Sequence, residues 1–243
     1  MNEILYASAK SIKEAIQNKK VSALEVVEAH LRRIEEVNPK LNAVVHLASD
    51  RALSEAKKAD SVMAKGESTG ILHGLPMTVK DSHDAQGLIS TGGTKGRKTF
   101  IPKSDATVVS RMRSEGAIVL GKTNTPELTL AFETDNLIYG RTNNPYDLDR
   151  TPGGSSGGAG AIIASGGSPV DLGTDTGGSV RVPSGFCGIS GLKPTSGRVP
   201  RTGHIISHSL GAIDSLTTVG PMARFVEDLA MVYPIISGPD WID

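Results

Sequence analysis

The chain reads as an α/β protein in which a mixed β-sheet is covered by helices. Three observations predict this. From Gly70 onward, short apolar runs of strand length (LPMTVKD, AIVLG, PVDLG) alternate with stretches of helical period. The first third carries its apolar residues at helical spacing instead. Glycine, 28 residues in all, is absent from the first 65 positions and crowds between Gly140 and Gly220, interleaved with Ser and Thr. Such loading marks a backbone that turns sharply or approaches a ligand closely.

The elements follow in chain order. Ser22 and Glu25 form a capping-box pattern, and Leu24, Val27, Leu31 and Ile34 then fall on one helical face. Asn38-Pro39 is expected to stop that helix. LNAVVHL (41–47) reads as a strand, and SDRALSEAKKADSVMAKG as an amphipathic helix ending at Gly66. LPMTVKD (75–81) reads as a buried strand with Lys80 at its end. SDATVVSRMRSEG is a helix with Ser104 or Asp105 as cap and Gly116 as its stop. AIVLG is a strand, AGAIIASGG a short helix, PVDLG a strand, ISGLKP a strand-like run and RFVEDLAMVYPIIS a final helix. Neither an internal repeat nor a domain linker is visible.

Composition narrows the function classes. With 26 basic and 26 acidic residues and no basic block, the chain lacks the positive field that nucleic acid or an anionic membrane requires. A single cysteine, Cys187, excludes an internal disulfide framework and a Cys-rich zinc site. It reads as a small core residue beside Phe186. The first 20 residues show no apolar signal segment, and no run nears the roughly 18 apolar residues of a membrane helix. A cytoplasmic protein is expected.

Two motif matches fail on physical grounds. Gly116–Thr123 fits G-x-x-x-x-G-K-T, but its interior, Ala-Ile-Val-Leu, is itself a strand, and no helix follows to receive a phosphate. Gly154-Ser155-Ser156-Gly157-Gly158 fits G-x-S-x-G with Ser156 as nucleophile, and Asp175 with His204 or His208 would complete the order. The irregular approach through Asn143-Asn144-Pro145 and Thr151-Pro152 does not suit that strand-borne elbow.

A stronger constellation joins LPMTVKD, TPGGSSGGAG and GTDTGGSVR. Gly177-Gly178-Ser179 sits at a strand-to-helix junction, where successive amides can point into one concavity and hold an oxyanion. A serine there needs a base, and none of these loops contains histidine. Lys80 ends an apolar strand, where desolvation would favour its neutral form, and a second hydroxyl could relay the proton. The residues alone favour a plainer reading, a surface Lys80 paired with Asp81. Likewise Ser155 or Ser156 could cap the following helix, Arg181 pairs most simply with Asp175, and His83, His204 and His208 read as loop residues without metal-ligand spacing.

The string GGSSGGAGAIIASGGSPVDLGTDTGGSVRVPSGFCGISGLKPTSGRV resembles the amidase signature family of serine hydrolases, and LPMTVKD, GAIVLGKTNTPEL, GRTNNPYD and GPMARFVEDLA resemble further segments of it in the same order. The likeness runs from about Leu24 to the end and reverses the odds on Lys80. It implies a Ser–Ser–Lys triad: Ser179 as acylated nucleophile, Ser155, preceded by a cis peptide, as the bridge, and Lys80 as ultimate base. It implies an oxyanion hole from the amides of Thr176, Gly177, Gly178 and Ser179, with Ser156, Asp175 and Arg181 in support. No cofactor or metal is implied. The implied activity is hydrolysis of linear amides other than peptide bonds. The implied partners are a small-molecule amide substrate, with no direct nucleic acid, and a second copy or a completing C-terminal segment. Family members continue past the point matching Pro239-Asp240, so residues 1–243 are expected to form the N-terminal part of one domain, with 1–68 a helical lead-in and 69–243 the catalytic core. The glutaminase subunit of a tRNA-dependent amidotransferase ranks second, because TSGRVPRTGHIISHSLGAIDSLTTVGP looks more like general amidases. A silent fragment serving binding or assembly is the reading from another class.

Overall fold

The computed structural model describes residues 2–206 and 211–243, so His208 lies outside the described residues. Helices α1 (Asn2–Tyr6), α2 (Ala9–Gln17) and α3 (Ala23–Leu41) lead into strand β1 (Val44–Leu47) and helix α4 (Ser49–Ala64). The capping box forms as expected: Ser22 Oγ accepts from the Glu25 amide, and the Glu25 carboxylate accepts from the Ser22 amide at 2.8 Å. Val27, Leu31 and Ile34 are buried and Leu24 is partly buried against them. Asn38-Pro39 does not stop α3, which runs on to Leu41. Proline in the last turn removes a single hydrogen bond. The stop comes at Asn42, left-handed at φ 49°, whose amide donates to Asn38 O, while Asn38 Oδ1 accepts from the Ala43 and Val44 amides.

Next come β2 (Pro76–Lys80), α5 (Thr107–Ser114), β3 (Ile118–Thr123), α6 (Gly157–Ala164), β4 (Val170–Asp175), α7 (Arg181–Cys187), β5 (Ser190–Gly191), β6 (Thr218–Ala223) and α8 (Val226–Ile236). The α5 cap is Ala106, not Ser104 or Asp105. The Asp105 carboxylate is taken by Arg113, at 2.6 Å, and by the Gln86 amide. ISGLKP contributes only the two residues of β5, and the TVGPMA strand, β6, was not anticipated. Its interior Gly and Pro hide a strand that pairs through all six residues with β4.

The strands form two three-stranded sheets, ordered β1-β3-β2 and β4-β6-β5. β2 runs parallel to β3, and the remaining pairs are antiparallel. β2 and β4 lie side by side where the sheets meet. Every residue of β2, β3, β4 and β6 is buried, as continuous apolar runs covered on both faces require. Gly116–Thr123 is therefore a helix end and a core strand, not a phosphate loop.

Helix α6 is buried on nearly all sides, and its Gly-Ala composition lets the backbones behind it come close. A Cβ added at Gly158 would lie 2.7 Å from both Ala43 O and Asn124 O and would strike the Asn124 amide. Those are backbone atoms and cannot rotate away. Gly158→Ala should therefore destabilise by about 1–3 kcal/mol or more. An unchanged midpoint in denaturant unfolding would disprove this packing account.

Candidate active site

Lys80 closes β2 with its whole side chain buried. Its Nζ donates to Ser155 Oγ at 2.7 Å and to Thr174 Oγ1 at 2.8 Å. Burial pushes the ammonium down to about 7, against the pull of the Asp171 and Asp175 carboxylates. The plainer reading of Lys80 thus fails on two counts, since it neither reaches the surface nor pairs with Asp81. Asp81 instead faces the buried Lys122 at 3.9 Å and accepts from Thr91. Its carboxyl is raised by burial, and Lys122 is lowered to about 8 by the same cause.

Ser155 follows a cis Gly154–Ser155 peptide and is buried. The next residue ties two glycine-rich loops together: the Ser156 amide donates to Ser179 O at 3.1 Å. Ser156 Oγ faces the β4 backbone, 3.4 Å from both Thr174 O and Thr174 N. Although Ser156 occupies the cap position of α6, its side chain makes no capping bond, and neither serine serves that role. With Ser156 fully buried against a strand and Asp175 engaged elsewhere, the elbow arrangement of Ser156, Asp175 and histidine is not assembled.

Ser179 lies in the turn between β4 and α7 and is 8% exposed. That turn is shaped by Asp175. Its carboxylate accepts from the amides of Gly178 (2.8 Å) and Val180 (3.0 Å) and from the Arg181 guanidinium (2.9 Å). Burial works to raise the Asp175 carboxyl, but the Arg181 guanidinium and the Val180 and Arg181 amides outweigh it and hold the group below its usual range. One expectation is corrected here. The Gly178 amide is committed to Asp175, so it is not free to receive an oxyanion; Gly178 instead supplies the left-handed backbone at φ 138°. The amides of Thr176, Gly177 and Ser179 have no such partner among the described residues.

His83 and His204 are buried, edge to face, with ring centroids 5.3 Å apart. Burial holds His204 at about 3 and His83 well below its ordinary value, so both rings are neutral. Cys187 is buried and its thiol is pushed up to about 12 by that burial, which suits a core residue and not a nucleophile. Phe186, by contrast, is exposed. Among the described residues, no three or more His, Cys, Asp or Glu side chains are grouped to hold a metal, and no helix is long and apolar enough to cross a membrane. Thr174 as a partner of Lys80, and the Asp81–Lys122 pair, were missed in the sequence. The signal for the second was two charged residues, Asp81 and Lys122, set in or beside apolar strand runs.

A family model described as Amidase matches residues 25–243. A glutamyl-tRNA(Gln) amidotransferase subunit of Sulfurihydrogenibium sp. is 43% identical over 238 residues, 98% of this chain and 48% of that protein. Among solved structures, the peptide amidase PAM bound to the competitive inhibitor chymostatin superposes with a TM-score of 0.91 at 35% identity, covering 98% of this chain and 49% of that one. The 6-aminohexanoate cyclic dimer hydrolase superposes at 0.89 with 35% identity, covering 98% and 48%. The chain spans about half the length of the curated relatives it matches.

Proposed function

The chain belongs to the amidase family, and from that membership and the geometry around Lys80 we propose that it hydrolyses an amide bond through an acyl-enzyme on Ser179. The observation that carries this reading is the 2.7 Å contact between Lys80 Nζ and Ser155 Oγ in a site with no water-exposed side to the lysine. Neutral Lys80 takes the Ser155 proton as Ser155 takes that of Ser179, whose Oγ attacks the carbonyl carbon. The amides of Thr176, Gly177 and Ser179 receive the oxyanion. Collapse breaks the C–N bond, and the proton returns through Ser155 to the departing amine. Water, activated by the same relay, then releases the acid. Ser156 and Arg181 act in support, the first by tying the two loops together and the second by fixing Asp175.

The substrate class favoured is a small linear amide. A second reading has its own support in the 43% identical relative named as an amidotransferase subunit, which suggests a glutaminase working with partner subunits. Amine or ammonia release from glutamine, a primary aliphatic amide and an anilide separates them. The first reading expects release from an amide other than glutamine by the protein alone, with a burst equal to the enzyme present. Ammonia from glutamine only when partner subunits are added would favour the second. No release from any of these with partners present, and no trapped acyl-enzyme, would reject both.

A further inference from the structure

Lys80 must become an ammonium, fully buried, each time it takes the serine proton, and that new charge needs a counter-charge. Resting on Lys80 as the base, we propose that Asp171 is this counter-charge: a positioning residue that sets the base strand and receives the ammonium during acylation. Asp171 lies on β4, fully buried, where the two sheets meet. One carboxylate oxygen, Oδ2, accepts from Thr78 Oγ1 at 2.6 Å and from Thr123 Oγ1 at 3.0 Å. Thr78 is two residues before Lys80 on the same face of β2, and Thr123 is the residue paired with Lys80 across β3. The carboxylate is therefore braced to both neighbours of the base. Its other oxygen, Oδ1, is buried with no hydrogen-bond partner, and among the described residues Asp171 forms no ion pair.

The other charged and titratable groups around the lysine are already occupied or neutral. Asp175, also on β4, is held by Arg181. His83, from the loop after β2, and His204, from the loop that packs against it, are both neutral. Lys122 on β3, which Asp171 also faces, pairs with Asp81. Burial raises the Asp171 carboxyl to about 6, opposed by the two threonine hydroxyls, the Lys80 backbone amide and the charge of Lys80. Above that pH it is an anion with no ion-pair partner among the described residues: Lys122 is held by Asp81, and Lys80, once protonated, is the cation left to it. An unpaired buried charge of this kind is costly unless a cation joins it. The catalytic step supplies that cation: the Ser179 O–H bond breaks, the Ser179 Oγ–carbon bond forms, and the proton ends on Nζ.

The test is Asp171→Asn, near-isosteric and still able to accept from the threonines, with Thr78→Val as a milder second variant. Two readouts apply in the purified protein: the pH dependence of kcat/KM on a turned-over amide, and the titration of the Lys80 ε-methylene by NMR of lysine-labelled protein. Asp171→Asn should shift both the acid limb and the Lys80 midpoint to lower pH by about one unit, because removing a nearby buried opposite charge, here one that attracts Lys80 without touching it, moves a pKa by ~1 unit or more. It should also lower kcat about tenfold, and Thr78→Val should move the same way by less. Lowered activity with limb and midpoint unmoved would reduce Asp171 to a structural brace and overturn the proposal. A moved midpoint with Lys80→Ala still fully active would leave the electrostatic coupling standing and remove Lys80 as the base.

Discussion

Ser179→Ala should abolish turnover, with kcat falling by ~10⁴ to 10⁶, the range seen when a serine nucleophile acting in a unit is removed. The expectation rests on access and on what surrounds each serine. Ser179 is 8% exposed in the turn after β4, beside amides of Thr176 and Gly177 that have no protein acceptor among the described residues. Ser156 is sealed, its hydroxyl turned to the backbone of Thr174. A serine-directed fluorophosphonate followed by peptide mapping should label the Ser179 peptide, and Ser179→Ala should remove all label. Label found on Ser156 that survives Ser179→Ala would reverse the assignment. Ser156→Ala should behave differently: it loses only the long contacts to Thr174 and keeps the backbone amide of residue 156 on Ser179 O.

Much of the fold was legible because its signals were local. Strand-length apolar runs gave β2, β3 and β4, and Ser22 with Glu25 gave the start of α3. The misses share a different cause, which is tertiary override of local preference. Pro39 is tolerated because Asn38 and Asn42 stop the chain a few residues later. Asp105 is drawn from its cap to Arg113. β6 is a strand because β4 lends it a partner at every residue, not because TVGPMA reads as one.

The site divides the same way. Gly177-Gly178-Ser179 announced a tight turn, but that Gly178 spends its amide on Asp175 depends on a side chain three residues back folding over the turn. Lys80 was ambiguous from spacing alone, since a lysine before an aspartate normally pairs with it. The structure separates them by the alternation of the strand: Lys80 points toward Ser155 and Thr174, and Asp81 is turned to Lys122 and Thr91. Asp171 is an acidic residue in the middle of the apolar run PVDLG, a signal that an account of unmatched charges would have flagged.

Lys80→Ala should lower kcat/KM by ~10²–10⁴ or more, a loss of roughly 3–5 kcal/mol of transition-state stabilisation for the removed base. The pH behaviour makes the test specific. Only neutral Lys80 accepts a proton, and burial lowers it to about 7, so the wild-type rate should rise with pH through about 7 and level off above it. Below that value the rate should fall tenfold per pH unit, as the ammonium accumulates. The residual rate of Lys80→Ala should lack this limb. Lys80→Arg should be no better than alanine, because guanidinium keeps its proton at any such pH and its fork does not fit where one Nζ meets Ser155 and Thr174. Lys122 is the buried lysine that could mimic this titration, at about 8. Its Nζ, however, donates to Ser90 at 3.1 Å and to His83 O, and it faces Asp81, so Lys122→Met should reduce stability while leaving a limb near 7 in whatever protein folds. A folded Lys80→Arg protein with the wild-type rate and limb would show that another group takes the proton.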